Sequence, residues 1–259
     1  MIINPFQAII LGIVEGITEF LPISSTFHLI QTSKLLGIAQ ADFTKLFEVF
    51  IQSGAILAVV FLYLHELRKN RKLLVYIFIS FIPTAIVGFL LYKIIKSFFF
   101  ESQTLMLTAF LFVGILFILL EFFIKKQKIR LRKKLSSFSF ADAFMIGLLQ
   151  SLAVVPGVSR AGTVMAGMMI AGFKREESAK YSFLLAVPTI LAASGFDLLK
   201  MKNIVDLDQG NILILLTGFA VSFIVALLSI KWLVSYLQSQ TLTLFGIYRI
   251  IAAVFLFLL

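Results

Sequence analysis

"GIVEGITEFLPISSTFHLI", residues 12–30, is the stretch whose reading decides the fold. It is apolar enough for lipid, yet it carries two glutamates, a histidine, a proline and several hydroxyls. A charge inside the bilayer is costly unless it is paired, hydrated or bound to a cation. So much polar chemistry is not expected on one continuous membrane helix. "LPISS" instead breaks the stretch into two half-helices.

The surrounding composition sets the solvent. Hydrophobic residues make up 60% of the 259, and mean hydropathy is +1.04. Apolar runs of about 20 residues recur, each long enough for a hydrocarbon core of roughly 30 Å. The expected class is an all-α integral membrane protein with a single membrane domain over 1–259, because barrel strands would show short alternating segments. The first apolar run has neither the basic start nor the cleavage site of a signal peptide. The net charge of +10 does not point to nucleic acid, since the basic residues cluster between spans. The absence of cysteine excludes disulfides, thiolate metal sites and thiol nucleophiles.

Full spans are expected at about 46–64, 73–95, 104–124, 180–199, 211–234 and 243–259. Arg68, Lys69, Arg71 and Lys72 form one basic cluster, and Lys125, Lys126, Lys128, Arg130, Arg132, Lys133 and Lys134 form another. Two spans separate them, so both face the cytoplasm. Residues 37–45 and the loop near 96–103 then lie outside. Residues 5–36 break at "LPISS" and residues 142–172 at "VPGVSRAG". Their half-helices, about 15–24 Å long, are too short to cross, so each pair is expected to be a re-entrant hairpin. Non-helical backbone at that depth survives only inside protein or beside a wet cavity.

The hairpins resemble one another. Placing Gly12 on Gly147 pairs Glu15 with Gln150, Pro22 with Gly157, Ser24 with Ser159 and Ser25 with Arg160. Each half is one hairpin plus three spans, and an odd number of crossings makes the repeat inverted. Repeat 1 covers about 1–125 and repeat 2 about 140–259, joined by a basic cytoplasmic linker over 125–139. The tips should meet near the midplane.

The chemistry collects at these tips. Glu15 and Glu19 share a helix face, which suits a metal site, an acid/base pair, or plain pairing with an arginine. Gly12 and Gly16 lie on nearly the same side and allow close approach of another backbone. Ser24, Ser25 and Thr26 begin the next half-helix, where capping is the bland alternative. His28 follows as a candidate nucleophile, proton carrier or metal ligand. In the second tip, Ser159 and Arg160 start a helix; helix N-termini attract anions and arginine grips phosphate through paired hydrogen bonds. A structural ion pair with Glu15 or Glu19 is the alternative for Arg160. Glu48 and Gln52, four apart on the next span, could extend a polar wall. The set suits a phosphorylated ligand with a divalent cation held by Glu15 and Glu19. No nucleotide-binding signature accompanies it.

"EGITEFLPISSTFHL", "FEVFIQSGAILAV", "PGVSRAG" and "YSFLLAVP" together resemble the undecaprenyl-diphosphate phosphatases, the bacitracin-resistance family, across essentially the whole chain. The resemblance implies removal of the terminal phosphate of undecaprenyl diphosphate, which regenerates the lipid carrier for cell-wall synthesis. It implies a multi-pass plasma-membrane enzyme whose site opens to the extracytoplasmic side, uses Mg²⁺ or Ca²⁺, and can form homodimers. The implied catalytic set is Glu15, Glu19, Ser25, His28 and Arg160, with Ser24, Thr26 and Ser159 as further phosphate-binding positions; Thr163, beside the family's threonine position, is a further candidate. Ser25 with His28 as its proton partner is the favoured nucleophile; a His28 phosphoenzyme and an activated water stay open. Three positions depart from the family pattern: Phe27 replaces a glycine, Ala161 a serine, and Val164 a threonine, although Thr163 is adjacent. The rival class is a transporter that flips a phosphorylated carrier lipid without hydrolysis, since inverted repeats around a midplane anion site also serve transport.

Overall fold

The structure, a computed structural model, describes residues 3–39, 41–95, 97, 102–201 and 209–258. Apart from one isolated parallel bridge, Lys133 to Phe173, its regular elements are all helical among the described residues. The order is α1 (Pro5–Thr18), α2 (Ser25–Leu35), α3 (Asp42–Lys69), α4 (Arg71–Leu90), the short turn α5 (Tyr92–Ile94) and α6 (Gln103–Lys125). The second part holds α7 (Phe140–Gln150), α8 (Arg160–Ile170), α9 (Arg175–Met201), α10 (Gln209–Ser239) and α11 (Thr243–Leu258).

Five helices, α3, α4, α6, α9 and α10, are long and apolar enough to cross a membrane. The protein is therefore a multi-pass membrane protein. The sixth expected span, 243–259, falls on α11, a shorter apolar helix of 16 residues. The loop expected near 96–103 lies largely outside the described residues.

The two broken segments fold as short helices joined by irregular backbone. Asn4 and Gln7 form a capping box that starts α1, with Pro5 in its first turn. Ser139 and Asp142 do the same for α7. These local signals fix where each half-helix begins. The second half-helices begin differently. Ser24 and Ser159 precede α2 and α8 at φ 69° and 73°, in a region that non-glycine residues rarely occupy.

Packing crosses between the two parts of the chain. α1 and α3 pack on α10, α7 and α9 pack on α4, α3 packs on α9, and α6 packs on α11. Small residues set the closest approaches. A Cβ on Gly12 would lie 2.8 Å from the Gly218 carbonyl oxygen, and one on Gly16 would lie 2.7 Å from that of Ser222. The glycine face expected from the spacing is thus pressed against the backbone of α10. Glu121, buried on α6, pairs with Arg175 on α9 and accepts from the Leu242 amide at 2.9 Å, joining the starts of α9 and α11.

Candidate active site

A cavity of about 540 Å³ lies where the two broken segments meet. Its polar end is built by Glu19, Ser24, Ser25 and Thr26 from the first segment and by Gly157, Ser159 and Arg160 from the second. Its other walls come from α4 and α9, including Phe81, Ala85, Phe89, Ile190, Ala193 and Phe196. The space therefore joins a charged end to an apolar one.

Glu19 is the junction. One carboxylate oxygen accepts from Arg160 Nη2 at 2.7 Å, and the other accepts from Ser25 Oγ at 2.6 Å. Arg160 Nη1 is held by the Ser182 carbonyl at 2.8 Å, while its Nε is buried without a partner. The arginine is anchored at one end and retains donor capacity. Ser25 and Arg160 stand at the starts of α2 and α8, whose free backbone amides favour anions.

Glu15 sits behind this group, fully buried and outside the cavity wall. Among the described residues neither of its oxygens has a hydrogen-bond partner. The charged groups acting on it are Glu19, Glu48 and Arg160. Glu15 is thus a buried carboxylate whose surroundings do not satisfy it.

The remaining expected residues divide. Gln52 lines the cavity, whereas Glu48 turns to α2, where Ser33 Oγ donates to it at 3.1 Å. The expected polar wall therefore keeps Gln52 and loses Glu48. Thr163 donates to the Ser159 carbonyl at 2.9 Å and does not line the cavity. Ser159 Oγ caps the Gly162 amide at 3.1 Å.

His28 lies outside the cavity wall. Its Nδ1 meets the Ser24 carbonyl at 2.8 Å and its Nε2 meets the Tyr248 hydroxyl at 2.5 Å. A carbonyl can only accept, so Nδ1 carries a proton and donates to it, while Nε2 and the Tyr248 hydroxyl share the second hydrogen bond. Ser25, the proton partner expected for His28, is bonded to Glu19 instead. His28 lies against the Phe27, Phe110 and Tyr248 rings, away from the cavity wall.

The three departures are accommodated. Phe27 takes ordinary right-handed helical backbone within α2 and stacks on Phe110 with centroids 4.0 Å apart. A glycine's conformational freedom is not needed there; the unusual backbone falls at Ser24. Ala161 and Val164 are buried on α8.

Sequence reasoning missed four residues that shape the site. Gln150 Nε2 donates to Thr84 at 2.8 Å and to Thr189 at 3.2 Å, and all three line the cavity. Arg249 is fully buried on α11 and donates only to backbone carbonyls. An arginine midway along an apolar helix was the available signal for it.

The family described as "Bacitracin resistance protein BacA" matches residues 8–255. A protein of Aquifex aeolicus (strain VF5) named undecaprenyl-diphosphatase is 46% identical, over 97% of this chain and 99% of its own. One of the same name from Persephonella marina (strain DSM 14350 / EX-H1) is 49% identical, over 98% and 97%. A third, from Campylobacter hominis, is 44% identical, over 95% of each. Matched from end to end by these relatives, this chain belongs to the bacitracin resistance protein BacA family.

Proposed function

We propose that the chain is a hydrolase that removes the terminal phosphate of undecaprenyl diphosphate, releasing undecaprenyl phosphate and inorganic phosphate. The relatives' name supplies the substrate. The observation that carries the chemistry is the Ser25–Glu19–Arg160 chain of hydrogen bonds at the polar end of a largely apolar cavity.

In this reading the diphosphate enters the polar end. Arg160, with the amides that begin α2 and α8, neutralises the phosphate oxygens. Ser25 Oγ passes its proton to Glu19 and attacks the terminal phosphorus. The bond from phosphorus to the bridging oxygen breaks, and that oxygen leaves on undecaprenyl phosphate. Glu19 gives that proton up to the departing phosphate or to solvent. Water then attacks the phosphoserine phosphorus and passes a proton to Glu19. The bond from phosphorus to Ser25 Oγ breaks, and Glu19 returns the proton to Ser25 Oγ as inorganic phosphate leaves. Glu19, not His28, is the base because it is the group Ser25 touches. His28 buttresses the Ser24 backbone from behind.

A divalent cation, Mg²⁺ or Ca²⁺, fits the carboxylates. Glu15 offers two buried, unpartnered oxygens, and a cation is one way to satisfy them. Glu15 and Glu19 would hold it. Among the described residues no cluster of three or more histidines or carboxylates surrounds them, so water or phosphate oxygens would complete its shell. Bound there, the cation would supply positive charge to the phosphate.

Three observations support an inverted repeat with re-entrant tips. The serines with positive φ, Ser24 and Ser159, fall on equivalent positions. The crossed packing, α1 on α10 and α7 on α4, follows the same correspondence. All four half-helices are 14 residues or fewer. The opening is assigned to the extracytoplasmic face of the plasma membrane. α4 and α9 both start beside basic residues, and the cavity reaches Tyr92 and Asp197 near their opposite ends.

The test is phosphate release from a C55 diphosphate lipid by purified protein, with Mg²⁺ or Ca²⁺ and with a chelator. Ser25→Ala, Glu19→Gln and Arg160→Ala should each lower turnover by about 100-fold or more. Movement of undecaprenyl phosphate across liposomes without diphosphate hydrolysis would instead establish transport.

A further inference from the structure

Arg249 lies outside the cavity wall, yet it touches both segments that build the cavity's polar end. Its Nε donates to the Phe110 carbonyl on α6 at 3.0 Å. Nη1 donates to the Pro22 carbonyl at 3.1 Å. Nη2 donates to the carbonyls of Gly157 and, at 3.5 Å, Val158. Pro22 lies between Glu19 and Ser25, and Gly157 lies three residues before Arg160. One rigid guanidinium thus spans the two turns whose next residues make the Ser25–Glu19–Arg160 chain.

The surroundings keep that fork in one place. Its plane lies over Phe110, 4.3 Å from the ring centroid, with Phe117 at 5.7 Å. α11 meets α6 through glycines: a Cβ on Gly114 would lie 2.9 Å from the Arg249 Cβ, and one on Gly246 2.8 Å from the Gly114 oxygen. A buried cation is costly in this medium, and here oriented carbonyl dipoles offset the cost. Those of Pro22, Gly157 and Val158 lie on irregular backbone outside any helix, where a buried carbonyl requires a partner.

We propose that Arg249 is a positioning residue, setting the distance between the two turns so that Arg160 and Ser25 meet on Glu19. The inference rests on the site assigned above and adds a residue that acts on it only through backbone. Arginine is needed for geometry: five N–H donors in a planar fork reach three segments at once. Lysine keeps the charge but has a single nitrogen.

Wild type, Arg160→Ala, Arg249→Lys and Gly246→Ala are purified in detergent, checked for monodisperse elution and helical content, and assayed across substrate concentration. Arg249→Lys should fold and lower kcat by about 100-fold, the scale for an ångström of misplacement at a reacting group. KM should stay within about threefold, because Arg249 does not touch substrate. Gly246→Ala, which moves α11 and leaves the guanidinium intact, should lower kcat by about tenfold. A folded Arg249→Lys whose kcat is within about threefold of wild type overturns the inference, as does a raised KM at unchanged kcat. If Arg249→Lys does not elute as folded protein, Gly246→Ala carries the test, and a wild-type kcat there overturns it. Arg160→Ala separates the two claims, since full turnover in that variant removes the site assignment whatever Arg249 does.

Discussion

Glu15 is the residue least content with its surroundings. It is fully buried with both oxygens unpartnered, and an ionised carboxylate in that state opposes folding. Glu15→Gln is therefore expected to raise the melting temperature measured without divalent cations. Millimolar Mg²⁺ or Ca²⁺ should stabilise wild type in the same thermal-shift assay and leave Glu15→Gln unmoved. An equal cation response in both proteins would remove Glu15 from the proposed cation set. Residue types were legible at this scale, since Glu15, Glu19, Ser25 and Arg160 stood out by charge and position. Their partners were not. The choice of Glu19 over His28 for Ser25 depends on how the backbone turns at Ser24. The bond from Tyr248 to His28 spans 220 residues, beyond any local pattern.

Among the elements, α1 shows which features a sequence declares. Glycines four apart predicted close helix contact, and Gly12 and Gly16 indeed meet the α10 backbone. Gly16→Val should separate that pair, because a Cβ there already lies 2.7 Å from a carbonyl oxygen and from the Val225 Cβ. The expected loss is roughly 1–3 kcal/mol, the usual cost of overpacking, read as a lower melting temperature in detergent. A melting temperature equal to wild type would show that the α1–α10 contact relaxes freely. α11 shows the opposite case. Hydropathy marks it as apolar, but its arginine, which serves backbone carbonyls, finds partners that no local pattern declares. Hydropathy reports solvent preference and does not say which other segments a helix holds in place. The Phe27 departure follows the same rule: substitution changes composition at one position, while the unusual backbone sits three residues earlier at Ser24.

For the whole molecule, the alternation of basic clusters and apolar runs was enough to give an all-helical membrane protein. The crossed packing of α1 on α10 and α7 on α4 was legible only as a weak internal similarity, because each contact joins distant segments. The proposed orientation is open to direct measurement. The chain has no cysteine, so single cysteines report without background. A membrane-impermeant maleimide added to intact cells should label Asp197→Cys and spare Lys128→Cys. The reverse pattern would turn the protein over.

The cavity's size has a kinetic consequence. About 540 Å³ is the volume of a pocket for a drug-sized molecule, far too small for a diphosphate and a fifty-five-carbon chain together. Most of the substrate's tail must stay among the surrounding acyl chains while its head reacts. The encounter then takes place in two dimensions, and the effective substrate concentration is a mole fraction in lipid or detergent. Adding micelles at constant total substrate should slow the reaction by surface dilution, although nothing in the protein has changed.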